Sequence, residues 1–281
     1  MADYRPEDLR RLQETELGIY KAFACFCEEN GLACFAIYGT TLGAVRHQGF
    51  IPWDDDMDVG MSRADYERFL KLIRERPMDG YEVLDIEHTD GYVMPFAKLC
   101  KQHTTFVEKT DTDRTYHSGI FIDIYPFDET PASPAAQKRH YRKAWLWARL
   151  CVLSEYASPK LPDLSPALAA AAGFGCRCCH GLMKALRITK ARMYRGFMRN
   201  ATRYNGQGTG WLIDITTPDA WNTIIPVSSV YPLQSLPFEG YAMQTVGNTD
   251  DYLVRYYGDY MTLPPADKQH NHAPAVLDFE R

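Results

Sequence analysis

The stretch YGTTLGAVRHQGFIPWDDDMDVGM, Tyr38 to Met61, decides the reading of this chain. Within it, Asp54, Asp55, Asp56 and Asp58 fill four of five consecutive positions, hemmed in by Trp53, Met57 and Val59. Carboxylates this dense repel one another, and burial beside apolar residues adds to the cost of keeping them ionised. A divalent cation resolves both problems. A solvated acidic turn after Pro52 is the plainer alternative. Period-two alternation over Trp53 to Met61 predicts a strand with Asp54, Asp56 and Asp58 on one face and Met57 and Val59 on the other. An all-oxygen ligand set selects a hard ion, Mg²⁺ or Mn²⁺, over zinc.

Upstream, Cys34 to Tyr38 reads as a short buried strand, followed by Gly39-Thr40-Thr41 and a short helix over Leu42 to Arg46. Gly39 and Thr40 therefore fall where free N–H groups and a helix dipole favour a phosphate. Arg46 is a candidate phosphate clamp through its forked donors. Downstream, Gly119 to Tyr125 reads as a strand that buries Asp123 among apolar residues. Either a shared metal or a salt bridge to Lys98 or Arg46 would compensate that charge. Lys98 is read two ways, as a phosphate contact or as an ordinary strand-end lysine. Near the C-terminus, His270 and His272 in HNHAP are candidates to reach a donor phosphate or the metal edge.

The remaining elements frame these residues. Helices are expected over Pro6 to Asn30, Arg63 to Glu75 and Asp250 to Tyr256. Further strands are expected over Tyr81 to Ile86, Tyr92 to Leu99, Trp211 to Ile215 and Tyr241 to Val246. Between them, Pro134 to Tyr156 and Ser165 to Tyr204 read as helices, with breaks at Pro159, Pro162 and Pro166. The fold class is α+β, a mixed sheet with helices covering a face. The division is a catalytic core over 1–133, a basic helical insert over 134–205, and a C-terminal part over 206–281 that completes the core.

The blocks GTTLGAVRHQGFIPWDDDMDVGMSRADYERF, GIFIDIYPFD (Gly119 to Asp128) and FEGYAMQTVGNTDDYLVRYYGDYMTLPP (Phe238 to Pro265) resemble the LicD family. That family is similar to nucleotidyltransferases, so the resemblance implies a nucleotidyltransferase-like sheet. It implies that Asp56 and Asp58 are the metal pair, Asp123 the third carboxylate, Asp54 a supporting or second-metal ligand, and Gly39-Thr40 the phosphate-binding turn. It also implies transfer of a phosphorylated small alcohol from a CDP-linked donor, most simply phosphocholine from CDP-choline, to a glycan or lipid-linked glycan acceptor. A choline group would need an aromatic wall, for which Trp53 and Tyr125 are candidates. The competing readings are transfer of NMP, transfer of another CDP-alditol or sugar-phosphate group, and a silent glycan- or nucleotide-binding protein.

Composition sets the remaining bounds. The 281 residues are 46% hydrophobic and 24% charged, ordinary for a globular protein. No run of about 18 apolar residues appears, and the charged N-terminus lacks a secretory pattern. With eight cysteines and no export signal, reduced thiols and a cytoplasmic location are expected. The CxCCH cluster of Cys176, Cys178, Cys179 and His180 lacks a second ligand pair and reads as helix packing. The net charge of −5 conceals a split: residues 134–205 hold 14 Lys or Arg against 2 acids. That bias suits an anionic partner such as the inner membrane face, or a helical face packed on the acidic body. Nucleic acid is not expected, because no recognisable module accompanies the basic residues.

Overall fold

The computed structural model describes residues 4–109, 114–159, 164–217 and 223–280. Pro162, one of the expected helix breaks, lies outside them. The expected α+β class is observed: a mixed sheet of nine strands with helices packed on it.

The sheet runs β3 (Tyr81–Leu84), β4 (Ala97–Lys101), β6 (Phe121–Glu129), β2 (Asp58–Ser62), β1 (Cys34–Ala36), β10 (Tyr241–Thr245) and β9 (Gln234–Phe238). β7 (Trp211–Asp214) pairs with the far end of β6, and β8 (Ile225–Pro226) pairs with β7. β2 and β6 are parallel, with Asp58 opposite Asp123. β4 is antiparallel to β6 and sets Lys98 opposite that same Asp123. β1 is parallel to β10, which joins the C-terminal block to the aspartate strand's other neighbour. A separate two-stranded sheet pairs β5 (Thr105–Val107) with β11 (Val276–Asp278).

Helix α1 (Pro6–Glu29) starts with Pro at its first turn and lays Leu12, Ile19, Tyr20 and Phe23 into the main core. Helix α3 (Arg63–Glu75) is capped by Ser62, whose side chain accepts from Asp65 N. It buries Tyr66, Phe69 and Ile73 beside α1, where Phe23 and Phe69 meet edge to face at 5.1 Å. Between the sheet neighbours β6 and β7 the chain leaves to form α4 (Pro134–Glu155), α5 (Pro166–Ala185) and α6 (Lys190–Ala201). Helices α7 (Val227–Val230) and α8 (Thr249–Tyr257) complete the C-terminal part.

Several boundaries differ from expectation. The strand expected over Trp53 to Met61 begins only at Asp58, so Asp54 and Asp56 sit on a loop. Three successive carboxylates cannot be laddered into a buried sheet without stranding the middle one against the core, and the chain avoids this by entering the sheet late. The helix expected from Leu42 begins at Tyr38 as α2 (Tyr38–His47), so Gly39 and Thr40 lie inside its first turn. The single helix expected over Ser165 to Tyr204 is broken between α5 and α6, where Arg187 adopts φ 53°. The strand expected over Tyr92 to Leu99 begins at Ala97. Among the described residues no helix is long and apolar enough to cross a membrane. The cysteines are free, and His180 of the CxCCH cluster stands 2.8 Å from Leu153 O.

Candidate active site

β1 delivers the chain to Ile37, whose N–H donates to Asp58 O at 3.1 Å. The next residue, Tyr38, turns with φ 47°, held by its N–H to Tyr252 Oη and by its own hydroxyl to Asp214 at 2.6 Å. This turn starts α2 beside the aspartate loop. Thr40 is spent on structure: its Oγ1 accepts from Asp58 N at 2.9 Å and fixes the start of β2. Gly39 does something a larger residue could not. A Cβ there would lie 2.7 Å from Asp54 Oδ2, so the missing side chain is what lets that carboxylate approach the helix.

The result is a cavity of about 830 Å³ with Asp54, Asp56 and Asp58 in its wall, together with Gly39, Arg46 and His272. Tyr38, Trp53, Tyr125, Tyr256, Tyr257 and Tyr260 form much of the remainder. The aromatic rings support one another: Tyr38 lies 4.9 Å from Tyr256 and 5.7 Å from Tyr125, centroid to centroid. Tyr256 to Tyr260 come from α8 and its exit loop, inside the C-terminal block singled out in the sequence.

Burial raises the proton affinity of Asp54, Asp56 and Asp58. Asp54 is pushed up to about 8 by burial, then by Asp56 and Asp55. Asp56 is pushed up to about 6 by burial, Asp55 and Asp123. Asp58 is raised well above the usual range by burial, then Asp56 and Asp123.

Asp123 sits beside Asp58 in the ladder but does not line the cavity. Its Oδ1 is 3.2 Å from Lys98 Nζ, and its Oδ2 accepts from Tyr125 Oη at 3.3 Å. The salt bridge weighed in the sequence is therefore present. Lys98 is buried, shared with Glu108 at 3.3 Å, and stacked 3.3 Å from the Phe121 centroid. Burial works against its charge, but Asp123 and Glu108 outweigh that and keep the ammonium above its ordinary range. Its donors are thus engaged by Asp123 and Glu108, and it does not line the cavity. Arg46 lines the cavity, donating from Nη1 to Tyr260 O at 2.8 Å and from Nε to His47 at 3.0 Å. His270 lies outside the cavity wall, whereas His272 is part of it.

Two residues that the sequence reading passed over belong to this site. Asp55, buried, accepts from Tyr4 Oη at 2.9 Å and from His272 N at 2.8 and 2.9 Å. It does not line the cavity, and it ties the loop to Tyr4 and His272, far apart in the sequence. His272 Nδ1 stands 3.6 Å from Asp55, and the carboxylates, Asp55 first, push this imidazole up to about 9. Glu16, from α1, is buried against the same loop, and its Oε2 has no hydrogen-bond partner among the described residues. Burial, then Asp56, Asp55 and Asp54, raise it well above the carboxylate range. A signal existed: Gln13 and Glu16 interrupt the apolar face of α1 at helical spacing. Gln13 donates to Asp54 O at 2.9 Å.

An excess of buried, mutually repelling carboxylate oxygens, offset only in part by Lys98 and His272, is a donor set suited to Mg²⁺ or Mn²⁺. Among the described residues no group of three or more His, Cys, Asp or Glu side chains is so placed that it could hold a metal ion as it stands.

The chain is 27% identical to the lipopolysaccharide cholinephosphotransferase LicD of Haemophilus influenzae, over 94% of this chain and 95% of that protein. An uncharacterized protein of Rickettsia typhi is 34% identical over 36% of this chain and 30% of its own length. One of Rickettsia prowazekii is 40% identical over 35% of each chain. The family described as LicD/FKTN/FKRP, nucleotidyltransferase domain, matches residues 31–157, which hold the aspartate loop, β2, β6 and Asp123. Residues 31–157, just under half of the chain, are thus similar to the LicD/FKTN/FKRP nucleotidyltransferase domain, the same likeness that the sequence motifs carry.

Proposed function

We propose that the chain is a LicD-type phosphotransferase that moves phosphocholine from CDP-choline to a glycan or lipid-linked glycan, with Mg²⁺ or Mn²⁺ at the aspartates. The observation that carries this is the cavity itself, in which Asp54, Asp56 and Asp58 face a wall of tyrosines and Trp53. Carboxylates alone would serve any nucleotidyl or phosphoryl transfer. The aromatic faces add what a trimethylammonium group needs and an alditol does not. The similarity to a named cholinephosphotransferase along nearly the whole chain supports the same group.

In this reading Asp54, Asp56 and Asp58 hold the cation, which when bound neutralises phosphoryl charge and polarises the bond to be broken. Asp123 backs them from the next strand, with Lys98 holding it in place. Arg46 and the imidazolium of His272 face the donor's pyrophosphate and favour its charge. Tyr38, Tyr256 and Tyr257 enclose the choline end, orienting the distal phosphorus toward the acceptor. The acceptor oxygen forms a bond to that phosphorus as the bond to the CMP oxygen breaks. Its proton passes to a carboxylate of the cavity wall.

The test is incubation with Mg²⁺ and a set of CDP- and UDP-linked donors, with acceptor glycan, following nucleotide release. CMP release from CDP-choline is expected, abolished by chelation and lowered about a hundredfold or more in Asp56→Ala. Release from a different CDP donor would replace the transferred group. Pyrophosphate release with NMP left on the acceptor would favour nucleotidyl transfer. Full turnover under chelation would remove the metal from the reaction.

A further inference from the structure

The helical lobe between β6 and β7 carries two features that the active site does not use. The first is a cavity of about 530 Å³ between α4 and α6, walled by Lys143, Arg192, Arg195, Arg199, Arg203 and Trp147. Arg192, Arg195 and Arg199 recur at three- and four-residue steps, so they share one face of α6. Among the described residues no acidic side chain lines the cavity. The cleft is built closely: Gly196 lies against Trp147, where a Cβ would come within 2.6 Å of the indole. His140 and Asn200 clamp the two helices beneath it, the His140 ring 2.8 Å from Asn200 O and Asn200 Nδ2 donating to His140 O.

The second feature is α5. Of its described residues only Met183 is buried. Leu168, Phe174, Leu182 and the following Leu186 are each at least 60% exposed. Leu168, Ala171, Gly175, Cys178, Leu182 and Leu186 succeed one another at steps of three or four, which gathers them in one outward stripe. The helix contains no acidic residue, and its charges are Arg177 and Lys184. On α4, Leu146 and Trp145 are also exposed, one turn from Lys143.

An outward apolar stripe and an unopposed cationic cleft on one helical lobe together have the composition of a surface that lies on an anionic bilayer. We infer that this lobe docks on an anionic membrane, with lipid phosphates in the α4–α6 cleft and the apolar stripe of α5 in the headgroup–acyl boundary. Charge complementarity selects this occupant over a second copy of the chain, whose corresponding lobe would bring the same positive charge.

The test is co-sedimentation of the full chain with vesicles of phosphatidylcholine alone, or of phosphatidylcholine with phosphatidylglycerol, at low and high salt. Binding is expected only to the anionic vesicles, weakening as salt rises. Arg195→Gln with Arg199→Gln should lower partitioning about tenfold or more. Phe174→Ser with Leu182→Ser, both at exposed positions, should lower it while leaving thermal unfolding and donor turnover unchanged. No binding, equal binding to neutral vesicles, or unaltered binding by the arginine variant would overturn the proposal. So would lipid-independent dimerisation abolished by Leu182→Ser, which would give the stripe to self-association. Saturable binding of a soluble phosphorylated sugar in the cleft, without vesicle binding, would give the cleft to a soluble ligand.

Discussion

At the residue scale, the acidic loop is held together against its own charge. Asp54 and Asp56, pushed up to about 8 and about 6, sit near 3.8 once the chain unfolds. Between those values the folded chain binds more protons than the unfolded one, so in chelator its stability falls as pH rises across that window. A divalent cation should reverse the trend. We expect Mn²⁺ to raise the midpoint of thermal unfolding more at about pH 8 than at about pH 5, with the difference shrinking in Asp54→Asn with Asp56→Asn. A midpoint indifferent to Mn²⁺ at both pH values would count against a cation on this loop. Asp54, Asp56 and Asp58 were legible as a set because acids so closely spaced between apolar neighbours need a shared counter-charge. Asp55 and Glu16 were not. In sequence Asp55 is one more member of the run, and only the approach of Tyr4 and His272 gives it a separate task. Glu16 becomes conspicuous once α1 is seen to lie against the loop.

At the scale of elements, the link between sheet and helical lobe rests on a buried ion pair. Arg63, at the start of α3, donates to both oxygens of Asp128 on β6, at 2.9 and 2.6 Å. Asn205, beyond the end of α6, donates to the same carboxylate at 2.7 Å. Removing the carboxylate would strand the guanidinium, so Asp128→Ala should cost roughly 3–5 kcal/mol in urea unfolding. A loss within experimental error would show that the pair can be dispensed with. The long helices α1, α3 and α4 and the strands β6, β7 and β10 follow from periodicity and turn residues. The strand expected from Trp53 does not, because alternation is equally the signature of a loop whose alternate residues face one cavity. β9 was missed. It lies at the sheet edge, where its alternating exposure leaves few apolar residues to mark it, and its register comes from the Glu239-Gly240 turn to β10.

At the scale of the molecule, the site is assembled from stretches far apart in the chain. β1, β2 and β6 bring the acids, and α8 brings the rings through the pairing of β1 with β10. The family blocks near both ends predicted this meeting; the intervening lobe carried no motif and showed its character only as a surface. The two ends also meet. Tyr4 and His272 share Asp55, and Arg11 holds Glu280 at 3.0 Å and stacks 4.3 Å from Phe279. In terms of connectivity the chain is close to a ring, broken at a point where its two ends already touch. A short linker from the region of Glu280 to that of Tyr4, with a new opening between the exposed Gln207 and Gly208, should therefore give a circular permutant that folds and keeps its donor turnover. Order along the polypeptide would then matter less to this site than the grip of one buried aspartate on the two strands of backbone that pass it.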